Sequence, residues 1–471
     1  MLTIGLFGIG LDTYWPQFDG LLQKLTTFQN EVASEFKKNG IKLIDAGMVD
    51  HPSKANEAAQ LFNEKNVDAI FLLITTYALS HNVLPVVQKT NKPLIILNIQ
   101  PNKAIDYKTF NSIGDRGKMT GEWLAYCQSC VAPEIASVLH RAKIKFDLIT
   151  GYLQQPLVWN EVSDTIAALK LKKEMQNNRV GLMGHYYNGM LDVYTDVTKQ
   201  AACFGNHFEL IEMGTLKQLR DNVTSAEISE KVSDFKNTFL VSYECDNYEI
   251  ERAAKTAVAL EKLVSNNKLG SMAYYYEGDG DAGYLDIVTS VIPGFTLLTG
   301  RNVPIAGEYE VKNVQAMKLL DLLGCGGSFS EFYAMDFEDE VVLLGHDGSA
   351  HFAIADGQVG LVPLPVYHGK PGKGLSIQMK VKNGAVTLLS VCEGTNGEIF
   401  LLVAEGESVE GDTLQIGNTN SRYKFSIPIT QFMNEWSLAG PSHHCAIGIG
   451  HKANVLHKYA KLIGIECKQI C

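Results

Sequence analysis

The chain of 471 residues has no long apolar run, no concentration of basic charge and no ordered set of cysteines. Its nine cysteines are odd in number and scattered, which fits reduced thiols in a cytoplasm rather than a disulfide framework. Cys127 and Cys130 form a lone CxxC, read as one buried helix face, and no second pair exists to complete a zinc knuckle. The longest apolar runs, AIFLLIT (69–75) and PLIILNI (93–99), are strand-sized and far short of a membrane span. The opening MLTIGLFGIG lacks a basic segment and a small-residue cleavage site, so it reads as a first strand, not a signal peptide. Net charge is −11 with no basic stripe, which argues against a nucleic-acid partner. Low-complexity tracts and clear internal repeats are also missing.

What is present is a globular composition, 46% hydrophobic and 20% charged, on a chain too long for one core. Residues 1–177 alternate apolar runs with amphipathic ones. TIGLFG (3–8), KLIDAG (42–47), AIFLLIT and PLIILNI read as strands. FDGLLQKLTTFQNEVASEFKKNG (18–40) has helical spacing, and SKANEAAQLFNEKN (53–66) reads as a helix capped by Ser53. Continuous apolar strands between such helices imply a parallel sheet covered on both faces. The pattern restarts over 178–326, with VGLMGH (180–185), HFELIEM (207–213), a helix over 247–270 and SMAYYY (271–276). Over 327–471 short β-branched runs split by glycine turns take over, and helical spacing returns only at KANVLHKYAKLIG (452–464). The expected fold is therefore α/β: two consecutive Rossmann-like α/β domains followed by a mainly antiparallel barrel or sandwich with a terminal helix.

Three stretches carry chemistry-bearing residues. GLFGIGLDTYW (5–15) places Gly5, Gly8 and Gly10 after a strand, but as GxxGxG, not the GxGxxG of a dinucleotide turn. A dehydrogenase is thus a weak alternative, and Asp12, Tyr14 and Trp15 instead offer polar and stacking groups at a sheet's C-terminal edge, or simply core. In 306–351, Glu308 opens a helical run, Glu331 ends the Gly-rich loop GCGGSFSE, and His346 stands between two glycines after VVLLG. Each alone also fits an ordinary structural role. LAGPSHHCAIGIG (438–450) adds the doublet His443 and His444, which on a strand would face opposite ways. Two carboxylates and two imidazoles make a mixed O/N set suited to Mn²⁺, Co²⁺ or Mg²⁺ with open positions.

AGEYE, GGSFSEFYAMDFE, LLGHDG and LAGPSHH stand in that order and spacing. In this they resemble the L-arabinose isomerase / L-fucose isomerase superfamily, the arabinose isomerase side more closely. The resemblance implies that Glu308, Glu331, His346 and His444 are divalent-metal ligands, manganese first. It also implies that Glu308 and Glu331 are the catalytic acid/base pair. The family histidine after LG sits one residue later, so His351 is a rival to His346. Elsewhere the chain departs from the family: GLDTYWP (10–16) and KMTGEW (118–123) replace its substrate contacts. Asp12, Tyr14 and Lys118 therefore look like altered contacts to a different pentose, hexose or deoxysugar, Met190 sits near a family position that lines the pocket, and His443 would point away from the metal or touch substrate oxygens at the rim. The implied activity is aldose–ketose isomerisation through a cis-enediol, with the two glutamates sharing the proton roles. The implied assembly is a homo-oligomer, hexameric or trimer-based, with a pocket shared between protomers. A non-catalytic sugar-binding or sensing protein, using the two α/β domains as a clamp, is the alternative.

Overall fold

The computed structural model describes residues 1–278, 282–365 and 373–471. It divides into two compact units, Met1–Lys170 and Leu171–Cys471. In the first, β1 (Thr3–Ile9), β2 (Lys42–Val49), β3 (Ala69–Ile74), β4 (Leu94–Gln100) and β5 (Phe146–Tyr152) form a parallel sheet in the order 2-1-3-4-5. All of β3 is buried, which is why it reads as an unbroken apolar run. Helix Leu21–Lys37 buries Leu21, Leu25, Phe28, Val32 and Phe36, as its spacing predicts, whereas Leu22, expected near the same face, is exposed.

Two local expectations are corrected in this unit. Helix Pro52–Glu64 is capped by His51, whose Nδ1 accepts the Ser53 N–H, rather than by Ser53 itself. The CxxC does not share a buried face: Cys127 is buried as the cap residue of helix Gln128–Arg141, and Cys130, inside the helix, is exposed.

In the second unit, β6 (Arg179–Gly184), β7 (His207–Ile211), β9 (Ser271–Tyr275) and β10 (Ile305–Ala306) form a parallel sheet in the order 10-9-6-7, while β8 (Leu240–Val241) lies outside it. The chain then builds β11 (Gly326–Asp336), β12 (Val341–His346), β13 (Gly360–Leu364), β14 (Gly374–Gln378), β15 (Gly384–Glu393), β16 (Ile399–Val409), β17 (Thr419–Phe425), β18 (His444–Ile449) and β19 (Glu466–Gln469). Antiparallel pairing runs β15-β18-β11-β12-β17-β16 and closes from β16 to β15, so the strands form a barrel. Strand β19 adds to β16 in parallel, and β13 pairs with β14 and β8 in a small separate sheet. Parallel α/β sheets followed by an antiparallel domain are the fold class read from the sequence, and the closure of β16 onto β15 makes that domain the barrel of the two forms expected, barrel or sandwich.

The barrel region departs from the sequence reading in two places. Glu331 lies inside the 11-residue strand β11, not at the end of a loop. A helix at Ile429–Leu438 has no counterpart in the expected elements; it buries Ile429, Phe432 and Trp436, a single short stripe easily lost among strand runs. Helix Val311–Leu322 lacks a stripe altogether because it is covered on all sides, packing on β11, β15 and β18 as well as on β9 and β10. Its buried polar side chains are paired: Lys318 with Asp321 (2.8 Å) and Gln315 with Asn206 (2.7 Å).

Candidate metal centre

The site is built on the middle of the barrel wall. Glu331 on β11 pairs in register with Gly345 on β12 and with His444 on β18, so three strands bring one carboxylate and one imidazole side by side. A Cβ on Gly345 would lie 2.0 Å from the Thr419 carbonyl, so the tight pairing beside His346 requires glycine. Phe329 shares the Glu331 face of β11. Its ring lies 4.5 Å from that of His346 and 4.4 Å from that of His444, fixing both imidazoles by packing.

Glu308 enters from the turn after β10. Glu308 and Tyr309 both adopt left-handed backbone, with φ of 56° and 60°, a conformation costly for non-glycine residues. The turn is held by the Tyr309 N–H donating to Tyr274 O (3.1 Å) and by Glu310 N–H donating to Gly307 O (2.9 Å). It sets Glu308 and Glu310 on either side of one ring. Glu310 engages His444 Nδ1, and Glu308 Oε2 lies 3.2 Å from His444 Nε2. His444 is fully buried, and Glu310 is 1% exposed.

Burial, reinforced by the negative charges of Glu310, Glu331, Asp347 and Asp192, pushes Glu308 up to about 8. Burial likewise raises Glu310 to about 7, against the lowering effects of Ser442, Lys312 and His443. His444 is driven well below the usual histidine range, first by burial and then by His443. A neutral His444 whose Nδ1–H is taken by Glu310 presents a bare Nε2 lone pair.

The doublet does not split as strand alternation predicts, because β18 begins at His444 and His443 precedes it. The two ring centroids lie 3.8 Å apart, with the planes tilted by 39°. Asp192 Oδ2 receives the His443 backbone N–H (3.0 Å) and pairs with His443 Nδ1 (2.6 Å). His443 Nε2 then faces Glu308 (3.7 Å) and Glu331 (4.0 Å) from the half-exposed rim. Although burial alone would raise it, the bonds from His443 hold the Asp192 carboxyl below its ordinary value. Met190 precedes this aspartate by two residues, at the start of the short turn Leu191–Val193.

Four sequence-predicted residues thus converge: Glu308, Glu331, His346 and His444. Ligand atoms of Glu331, His346 and His444 lie within 4.8 Å of one another, as do those of Glu308, His443 and His444. His346 Nδ1 accepts the Gly348 N–H at 2.8 Å, so a neutral ring in this pose carries its proton on Nε2. Binding a cation through that atom requires giving up the Gly348 bond. The rival His351 is elsewhere, buried with its Nε2 3.8 Å from Asp321.

Asp12, Tyr14 and Lys118 belong to the first unit. Asp12 and Tyr14 form the turn after β1, and Tyr14 packs edge-on against Phe18 (5.8 Å). Phe18 and Lys118 line one groove of that unit. A Cβ on Gly10 would meet the Trp15 ring at 2.8 Å, so this glycine makes room for the tryptophan and gives a dinucleotide turn no support.

Sequence reasoning misses Glu310 and Asp192. Glu310 leaves a trace, since AGEYE puts a second glutamate two residues after the first. Asp192 leaves none, because it meets His443 across some 250 residues of chain.

The residues present fit a divalent cation. Glu308 Oε2 and His444 Nε2 are buried and make no hydrogen bond. The donors are carboxylate and imidazole only; Cys445, next in sequence, is buried in the barrel core instead. That set suits a hard-to-borderline divalent ion rather than a structural zinc.

Residues 326–466 match the family model for the L-arabinose isomerase C-terminal domain. The chain is also 20% identical over 429 residues to an L-arabinose isomerase from Shouchella clausii (strain KSM-K16), covering 88% of this chain and 85% of that one. Among solved structures, the periplasmic binding protein component of an arabinose ABC transporter from Shewanella sp. ANA-3 is 13% identical, covering 64% of this chain and 78% of its own. An ABC transporter solute-binding protein from Agrobacterium vitis is 13% identical, covering 65% and 92%. Both superpose with a TM-score of 0.16, too low to bear on the fold or the site.

Proposed function

We propose that this arabinose isomerase-like chain is a divalent-cation-dependent aldose–ketose isomerase acting through a cis-enediol. The observation that carries the reading is the pair of buried, unbonded atoms Glu308 Oε2 and His444 Nε2, 3.2 Å apart. Leaving a buried polar atom unsatisfied costs ~1–3 kcal/mol, and a bound cation offsets that cost for both atoms at once. Glu308, Glu331, His346 and His444 would hold the ion, manganese first, with cobalt or magnesium as substitutes. When bound it supplies a Lewis acid for the adjacent oxygens of the sugar.

The proton work falls to the chain. Isomerisation removes the proton from the carbon beside the carbonyl and returns one to its neighbour, while the two oxygens exchange protonation. Glu308, largely buried beside His444, is one of the two carboxylates that would share the acid and base roles. Glu331, a third exposed, faces the rim as its partner. His443, oriented by Asp192, presents Nε2 to a sugar oxygen, with Met190 close by in sequence. In the homo-oligomer that belongs to this reading, hexameric or trimer-based, Asp12, Tyr14 and Lys118 serve the pocket of another protomer.

The test joins two measurements on protein purified without chelators. Elemental analysis should find a stoichiometric divalent metal. A screen of aldopentoses, aldohexoses and deoxysugars with Mn²⁺ should yield a ketose from at least one. Tight sugar binding without metal and without ketose would replace the isomerase by a sugar-binding clamp.

A further inference from the structure

Helix Val311–Leu322 carries a lysine, Lys312, in its first turn, and that residue is only 6% exposed. Both facts count against a lysine there. A cation at a helix N-terminus opposes the macrodipole, and a buried ammonium loses its water. Its partner lies 120 residues away in sequence: Lys312 Nζ donates to Asp192 O at 2.6 Å. Ser442 Oγ reaches the same carbonyl at 3.1 Å. Asp192 is therefore gripped at both ends. Its carbonyl takes Lys312 and Ser442, and its carboxylate takes the backbone N–H and Nδ1 of His443. The turn that carries it, Leu191–Val193, is three residues long. Val193 is buried, and Thr195 Oγ1 meets Glu393 on β15 at 2.9 Å, so the course of the segment is fixed on one side. Among the described residues, the hydrogen bonds that reach Asp192 from other side chains come from Lys312, Ser442 and His443.

We infer that Lys312 is a positioning residue of the reaction and acts through Asp192: the ammonium fixes the Asp192 carbonyl, and with it the place where the carboxylate holds the His443 ring against Glu308 and Glu331. His443 Nε2 lies 3.7 Å from Glu308 and 4.0 Å from Glu331. A displacement of ~1 Å passed on by the turn would spoil that placement for a reacting oxygen. The inference rests on the isomerase reading for the chemistry. The linkage itself consists of hydrogen bonds inside one compact unit.

The experiment is a double-variant cycle of Lys312→Met with Asp192→Asn, read as kcat/KM at saturating Mn²⁺ on the aldose that the wild type isomerises best. Each single variant should lose ~10-fold, and the double variant little more than either, because both changes cut the same link. A double loss near ~100-fold, the product of independent effects, overturns the inference and leaves the isomerase reading standing. So does a Lys312→Met enzyme as active as the wild type. Should Lys312→Met fail to fold, Lys312→Gln, too short to reach the carbonyl, takes its place in the cycle. Hydrogen exchange read by mass spectrometry needs no turnover, and it separates this link from a general role in the helix. In Lys312→Met, exchange should quicken several-fold in the peptides that contain Asp192 and the His443 N–H, while the middle of helix Val311–Leu322 stays as protected as in the wild type. Equal loosening of the helix, or unchanged exchange at His443, overturns the inference. If the wild type turns over no aldose, the isomerase reading falls, and the exchange result alone decides whether Lys312 holds His443 through Asp192.

Discussion

In the first unit, Asp50 follows β2 and is 3% exposed; it accepts the Trp15 indole N–H at 2.8 Å and pairs with Lys54 at 2.8 Å. In the second unit, Glu308 follows β10, is largely buried, and is surrounded by Glu310, Glu331, Asp347 and Asp192. Among the described residues its basic neighbours are histidines alone, and the closest, His444, is held neutral. Both are carboxylates beside strand ends, yet one is balanced by a lysine of its own chain and the other is not. Burying an unbalanced carboxylate is costly, so its charge must be met by a proton or by something bound. Asp50 reads as architecture and Glu308 as a site, and the difference between them can be attacked directly.

The largest effect should come from Glu331→Gln, which keeps shape and removes the proton-transferring carboxylate. Turnover should fall by ~10²–10⁴-fold, measured at Mn²⁺ concentrations that load the variant. Turnover near wild type in the loaded variant would end the two-carboxylate mechanism. Next is Glu310→Gln beside Asp50→Asn. Loss of the acceptor behind His444 should weaken Mn²⁺ binding ~10–100-fold in calorimetry, as for other second-layer partners of metal-bound histidine. Asp50→Asn should lower thermal stability and leave Mn²⁺ affinity alone. If both variants lose metal equally, the contrast between the two carboxylates is false.

pH sharpens it further. Burial lifts Glu308 from 4.5 to about 8 in the folded chain. Its contribution to stability is therefore complete below about 4.5 and is lost as pH rises through about 8. Metal-free protein should melt at a lower temperature at pH 8.5 than at pH 5.5, and added Mn²⁺ should raise the melting temperature more at the higher pH. Glu308→Gln should flatten both trends. A metal-free protein that gains stability over that range, with a constant Mn²⁺ increment, would refute the assignment. The smallest effect belongs to Asp192→Asn, which weakens the hold on His443. Loss of one charge-assisted hydrogen bond predicts ~10-fold or more in kcat/KM with metal content unchanged. Metal loss would instead make Asp192 part of the ion's support.

Much of the molecule is legible in its sequence. Apolar runs such as 69–75 announce a covered parallel sheet because burial on both faces leaves no polar positions. Glu308, Glu331, His346 and His444 are legible through the order and spacing of four motifs. Helix Ile429–Leu438 is not, since three anchoring residues make too short a period. The strand that carries Glu331 reads as a loop because the glycines of GCGGSFSE suggest a turn. One of them, Gly327, instead lets β11 pass 2.4 Å (measured from a virtual Cβ) from the Met317 carbonyl.

By itself the sequence determined the class of elements, the antiparallel strands that follow the parallel sheets, and the kind of ligand atoms on offer. These depend on local periodicity and residue chemistry, which the chain carries along its length. The tertiary structure decided which histidine has a bare buried nitrogen, that Glu310 and Asp192 stand behind the two imidazoles, and that the Lys312 ammonium meets the Asp192 carbonyl. Those facts arise where segments far apart in sequence meet, and burial there changes protonation and partner choice in ways no single segment encodes.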